Sequence, residues 1–346
     1  VTIGSCGGDT KASQTLPGGA LRLKVGGALT LNGKLDANAV SEFRPGQTSS
    51  RAVGSGGSVW VTAASISGTG SVTANGWTGT NYGPSGGGRI SLCLTGPNVD
   101  FANFATNNVT AYGGFQSADR HGSAGTVYLE TADNRSEGGE LWVKGDQQVG
   151  LTAADYYGTE IWTGLDDDSF AFGKIVLANN IELRVQEGVT ISTTEMDGEN
   201  PTYNQMRLYN GNFTCTGAQP IRNVRVAVGT TNAVIGSSLR IGSGAQFLPN
   251  FATTVNGDVF LTDGGKITHW LNGKADNNYR VNLKVAGDMS IDSASTIDVV
   301  GMGFSSNAGD GKPGIGNCAS GHGGRAGNPS ALGVCYGSFK EPTTLG

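Results

Sequence analysis

The chain has 346 residues, 58 of them glycine, with 37% hydrophobic and only 15% charged positions and a net charge of -5. Lysine and arginine are thinly spread, which argues against the clustered basic footprint of a nucleic-acid partner, and no stretch approaches the roughly 20 apolar residues of a membrane-crossing helix. Glycine without a collagen-like period, beside hydrophobic residues in period-2 runs, points to ordered β structure and away from disorder.

In chain order, the first phrase is Gly18-Gly19-Ala20-Leu21-Arg22-Leu23-Lys24-Val25, followed by Leu29-Thr30-Leu31 and Leu35-Asp36-Ala37-Asn38. A looser copy runs Gly56-Gly57-Ser58-Val59-Trp60-Val61, Ile66 and Val72-Thr73-Ala74-Asn75-Gly76. Strands are then expected at Arg89 to Thr95 and Thr126 to Thr131, with polar Gly-rich insertions at 40–55, 77–87 and 113–123. The middle third supplies denser strands with less glycine, from Leu141-Trp142-Val143 through Ile181 to Val185 and on to Val259-Phe260-Leu261. The opening phrase returns as Val281-Asn282-Leu283-Lys284-Val285, Met289-Ser290-Ile291 and Ile297-Asp298-Val299.

Recurring short alternating strands mark a stacked, quasi-one-dimensional architecture. A β-sandwich fits the short middle strands as well, but the phrase at both ends favours stacking. The expected fold is all-β, a right-handed parallel β-helix (β-solenoid) with Gly-rich loop insertions, forming a single domain over 1–346. The repeat phrases are clearest in 1–131 and 277–346, and 302–337 reads as a Gly-rich outer loop. Leu21, Leu23 and Val25 face one side while Arg22 and Lys24 face the other, so stacking puts aliphatic ladders in one shared dry interior.

Asp166-Asp167-Asp168 is the only acidic run, a weak calcium candidate with Asp155 and Glu160 nearby. Strand neighbours face opposite sides, which favours a solvated loop. Cys318 and Cys335 flank a Gly-rich stretch and form a disulfide candidate; buried free thiols are expected at Cys93, on the strand side opposite Leu92 and Leu94, and at Cys215. His121, His269 and His322 have no recognisable nucleophile arrangement beside them. Gly86-Gly87-Gly88 and Gly321 to Arg325 lack the helix and Lys-Ser/Thr of a phosphate loop. Trp60 and Trp142 alternate with aliphatic residues, so an outward, sugar-stacking role and a core role both stay open.

These phrases, with Gly86-Gly87-Gly88-Arg89-Ile90 and Ser123-Ala124-Gly125-Thr126-Val127-Tyr128-Leu129, resemble a family of large, secreted, Gly-rich repeat proteins of environmental bacteria. The resemblance implies an extracellular, non-catalytic structural protein of the cell surface or of a secreted filament, with no cofactor and no catalytic residues to carry over. In such units a phrase like Thr343-Thr344-Leu345-Gly346 runs directly into one like Thr2-Ile3-Gly4-Ser5-Cys6-Gly7-Gly8. The implied assembly interface is Val1, Thr2, Ile3, Gly4, Cys6, Thr344, Leu345 and Gly346, with the chain itself as head-to-tail or tandem partner. An uncapped strand edge templates another in the same way. The alternatives are an adhesin or polysaccharide-binding stalk and, behind it, a polysaccharide lyase or glycoside hydrolase.

Overall fold

A period-2 pattern buries every second side chain, and the structure realises this on stacked parallel strands. The computed structural model describes residues 4–5, 15–41, 54–78, 84–117, 120–146, 158–162, 168–199, 204–230, 233–273 and 279–305, with single positions at 309, 322, 335, 336, 338, 340 and 342. Within them the chain is all-β, and the two helical pieces, Thr106–Asn108 and Arg135–Glu137, are single 3-10 turns.

The first region passes through three sheets in fixed order. Strands Ala20–Lys24, Ser58–Ala63, Arg89–Leu94 and Thr126–Glu130 pair in parallel, which stacks Leu21 on Val59, Ile90 and Val127, and Leu23 on Val61, Leu92 and Leu129. Ala28–Thr30 stacks on Ser65–Ser67, and Lys34–Asp36 on Ser71–Thr73 and Val109–Thr110. The rungs Leu29–Ile66 and Leu35–Val72–Val109 complete a core whose inner members, Val59, Ile66, Val72, Ile90 and Leu92, are at most 3% exposed. Burying each such side chain contributes about 1.5–3 kcal/mol.

At the entry to the long strands of this region two backbones lie in close contact. Gly57, Gly88 and Gly125 donate N–H to the carbonyls of Ala37, Ala74 and Ala111 at 2.8, 2.7 and 2.7 Å. A Cβ there would lie 1.9, 2.0 and 1.8 Å from the carbonyl oxygens of Gly19, Gly57 and Gly88, so glycine is required for lack of space. Next to this column, Asn75 N–H donates to Asn38 Oδ1 at 2.6 Å and Tyr112 N–H to Asn75 Oδ1 at 2.7 Å, an amide ladder that fixes the corner.

A reversal follows. Thr126–Glu130 and Glu140–Lys144 are antiparallel neighbours in the 11-stranded sheet, with Tyr128 opposite Leu141 and Val127 opposite Trp142. Opposed residues share a face. Val127 belongs to the first core, but Leu141 and Val143 belong to the second. The interior therefore changes sides of the sheet where the strand direction reverses. The expected single shared interior is replaced by two, because both faces of a strand can be buried and each region takes a different one.

Beyond the reversal, parallel pairing resumes. Phe170 stacks on Ile191, Phe213, Ile235, Val255 and Val285. A second column runs Leu183, Met206, Val226, Phe247, Ile267 and Ile297, and a third stacks Ile221 on Ile241, Leu261 and Ile291. From Phe213 to Phe251 each pass takes only about 20 residues.

Gly88→Ala is expected to lower stability by roughly 3 kcal/mol, the upper end of overpacking costs, measured by chemical denaturation. Gly27→Ala, with nothing within 4 Å of its Cβ, is the matched control and should be close to neutral.

Candidate functional site

Two features stand out on this frame, an uncovered last circuit and a groove at the reversal. The last described circuit consists of Leu283–Val285, Met289–Ile291 and Thr296–Ile297. Its columns are fully buried one level below, at Val255, Val259, Leu261 and Ile267, yet Met289, Ile291 and Ile297 are 40–45% exposed. Val299 and Val300 add to this apolar end.

The first circuit has the same dimensions. Leu23, Leu29 and Leu35 are six residues apart, as are Val285, Ile291 and Ile297. Both circuits end on the same corner: Asn38 N–H donates to Asp36 Oδ1 and Val300 N–H to Asp298 Oδ1, each at 2.9 Å. Lys34 pairs with Asp36 at 2.8 Å and Lys266 with Asp298 at 2.7 Å. Burial acts against the Asp36 charge, but Lys34 and the Asn38 N–H outweigh it and hold the carboxyl below the usual range. Lys266 and the Val300 N–H lower Asp298.

The groove lies on the outward face of the first region. Along one row Arg22, Trp60, Ser91 and Tyr128 are successive register partners. The Arg22 guanidinium sits 4.2 Å from the centre of the Trp60 ring. Small Ser91 lies between two large rings, and a cavity of about 310 Å³ opens there, with Arg89, Ser58 and Thr126 along its side. Tyr128 packs edge-on against Phe172 from beyond the reversal, with ring centres 6.4 Å apart. Its hydroxyl donates to Glu130 Oε2 at 2.7 Å, and burial together with that carboxylate pushes the phenol well above its ordinary pKa. A second cavity of about 250 Å³ adjoins at Arg89 and Thr126 and is walled by Gly86–Gly88 and Gly158–Glu160.

Of the expected assembly residues, Gly4 donates N–H to Gly18 O at 3.0 Å; Val1, Thr2, Ile3, Cys6, Thr344, Leu345 and Gly346 lie outside the described residues. Asp168 is exposed and its carbonyl accepts the Thr190 N–H at 2.8 Å, while Asp166 and Asp167 lie outside. Among the described residues no three His, Cys, Asp or Glu side chains are grouped to hold a metal. Cys335 is exposed with a free thiol, so the structure holds no bridge at that position, and Cys318 lies outside the described residues.

Cys93 and Cys215 are free thiols, with Cys93 only half-buried and opposite in side to Leu92 and Leu94; burial pushes both thiols up. Trp142 faces the side of Val127. Many carboxylates are structural: Glu182 is buried against Arg184 and Gln205, and Arg222 binds Glu195 and Asp197 at 3.1 and 2.9 Å.

Sequence reasoning singled out Trp60 but missed Arg22, Ser91, Arg89 and Tyr128 as its neighbours. They are far apart in the chain, and only the strand register brings them into rows. No protein-family model, curated protein or solved structure matches the chain.

Because their folded-state pKa values are depressed, Asp36 and Asp298 contribute stability above the ordinary carboxylate pKa, and this contribution is lost as pH falls through the folded values. The Asn38 and Val300 amide resonances should therefore shift as pH drops below about 4. Asp298→Asn should remove the Val300 response and leave that of Asn38.

Proposed function

We propose that this chain is an extracellular structural protein, a right-handed parallel β-helix that forms or extends a surface fibre by stacking end to end on copies of itself. The observation that carries this reading is the last of the described strand sets, whose Ile291 and Ile297 continue fully buried columns yet are themselves 45% and 42% exposed. The first circuit of a second copy supplies rungs of matching residue type and spacing, Leu23, Leu29 and Leu35. Unpaired N–H and C=O groups along such an edge favour a further strand, and a head-to-tail contact that does not close on itself propagates.

The geometry of the reversal is compatible with one winding sense throughout. Strand direction and interior side change together, and the two changes amount to a half-turn about the stacking direction. A half-turn preserves handedness, and parallel crossovers are strongly biased to the right. The extracellular setting and non-catalytic role in this reading rest on the resemblance of the Gly-rich phrases. No catalytic residue, metal or cofactor is assigned.

Sedimentation velocity and electron microscopy test the proposal. The unaltered chain should form concentration-dependent linear oligomers, and Ile291→Asp with Ile297→Asp should abolish them. Each substitution should change stability by no more than about 0.5 kcal/mol, as expected at exposed positions. A chain that stays a single species at every concentration, or a double variant that assembles as before, would refute it.

A further inference from the structure

We propose that the groove between Trp60 and Tyr128 binds an acidic polysaccharide, seating one sugar ring over Ser91 and pairing its carboxylate with Arg89. This does not rest on the stacking reading.

Trp60 and Tyr128 are two strand spacings apart, about 10 Å, and the residue between them is a serine. Two aromatic side chains on either side of a small polar residue line a slot of about 310 Å³, suited to a ring with apolar faces and a polar rim. Few-contact sites of this kind combine aromatic walls with a small number of placed polar groups. Here those groups are the hydroxyl side chains of Ser58, Ser91 and Thr126 and the guanidinium of Arg89.

Charge selects the class of sugar. Arg22, Lys24 and Arg89 are exposed on this face, and among the described residues none of them pairs with a carboxylate. The one carboxylate in the adjoining row, Glu130, is held by Arg135 at 2.6 Å and by the Tyr128 hydroxyl. A locally positive strip in a chain of net charge -5 fits an anionic ligand, and a guanidinium matches the two oxygens of a carboxylate. The adjoining cavity beyond Arg89, where the Glu160 carboxylate is held by Arg184 at 3.3 Å, lets a linear chain continue past the bound residue.

Isothermal titration with hexagalacturonate and with cellohexaose, using the Ile291→Asp, Ile297→Asp background, tests the site apart from assembly. Hexagalacturonate should bind, more weakly at higher salt, and cellohexaose at least tenfold more weakly. Trp60→Ala should reduce hexagalacturonate affinity at least tenfold with the fold verified by thermal melting, and Arg89→Gln, at an exposed position, at least fivefold. Trp142→Phe, on the other side of the sheet, should leave it unchanged. Failure of hexagalacturonate to bind, equal binding of the neutral hexamer, or unaltered affinity in Arg89→Gln would overturn the proposal.

Discussion

The architecture depends on how closely one pass of the backbone can lie against the next. Parallel strands at about 4.8 Å spacing leave no room for a side chain where the chain turns into its next strand. Gly57, Gly88 and Gly125 occupy those points, each donating to the alanine carbonyl that closes the preceding pass. Once that contact is made, the register of everything downstream is set. Leu21, Val59, Ile90 and Val127 can then form one column although the intervening segments differ in length.

The reversal between Thr126–Glu130 and Glu140–Lys144 is the second determinant, and it generates the groove. Gly138 and Gly139, with φ of +92° and +63°, admit a turn that other residues resist. Asn134 and Thr131 brace it by reciprocal side-chain to backbone hydrogen bonds at 2.8 and 3.2 Å. Because the interior changes sides there, the outward row of the first region runs directly into the inward row of the second, with Tyr128 beside Leu141. Phe172 thus reaches Tyr128 from a region whose core it helps to cover. A stack without this switch would present Tyr128 on an open sheet face.

Much of the fold was legible because alternation and glycine report local requirements. Leu92 and Leu94 inside with Cys93 between them, and the glycine before each of Ser58–Ala63, Arg89–Leu94 and Thr126–Glu130, follow from pleat and crowding alone. The reversal was not legible for the same reason: Leu141-Trp142-Val143 alternates identically whichever way the strand runs and whichever face is covered. Period 2 carries no direction. The matching end circuits were readable as a repeated phrase, but that Ile291 and Ile297 are exposed while Leu261 and Ile267 are buried depends on position in the stack.

The groove shows most plainly what a sequence conceals in such a fold. Trp60, Ser91 and Tyr128 are separated by 31 and 37 residues, and the gap between the rings exists only if all three occupy one row. A slip of one residue in any strand would turn its side chain inward. The row is held by the aliphatic columns behind it, since Val59–Ile90–Val127 and Val61–Leu92–Leu129 bury only in this register. The dry interior therefore positions the outward surface, and the spacing of Trp60, Ser91 and Tyr128 is specified by the aliphatic residues that alternate with them.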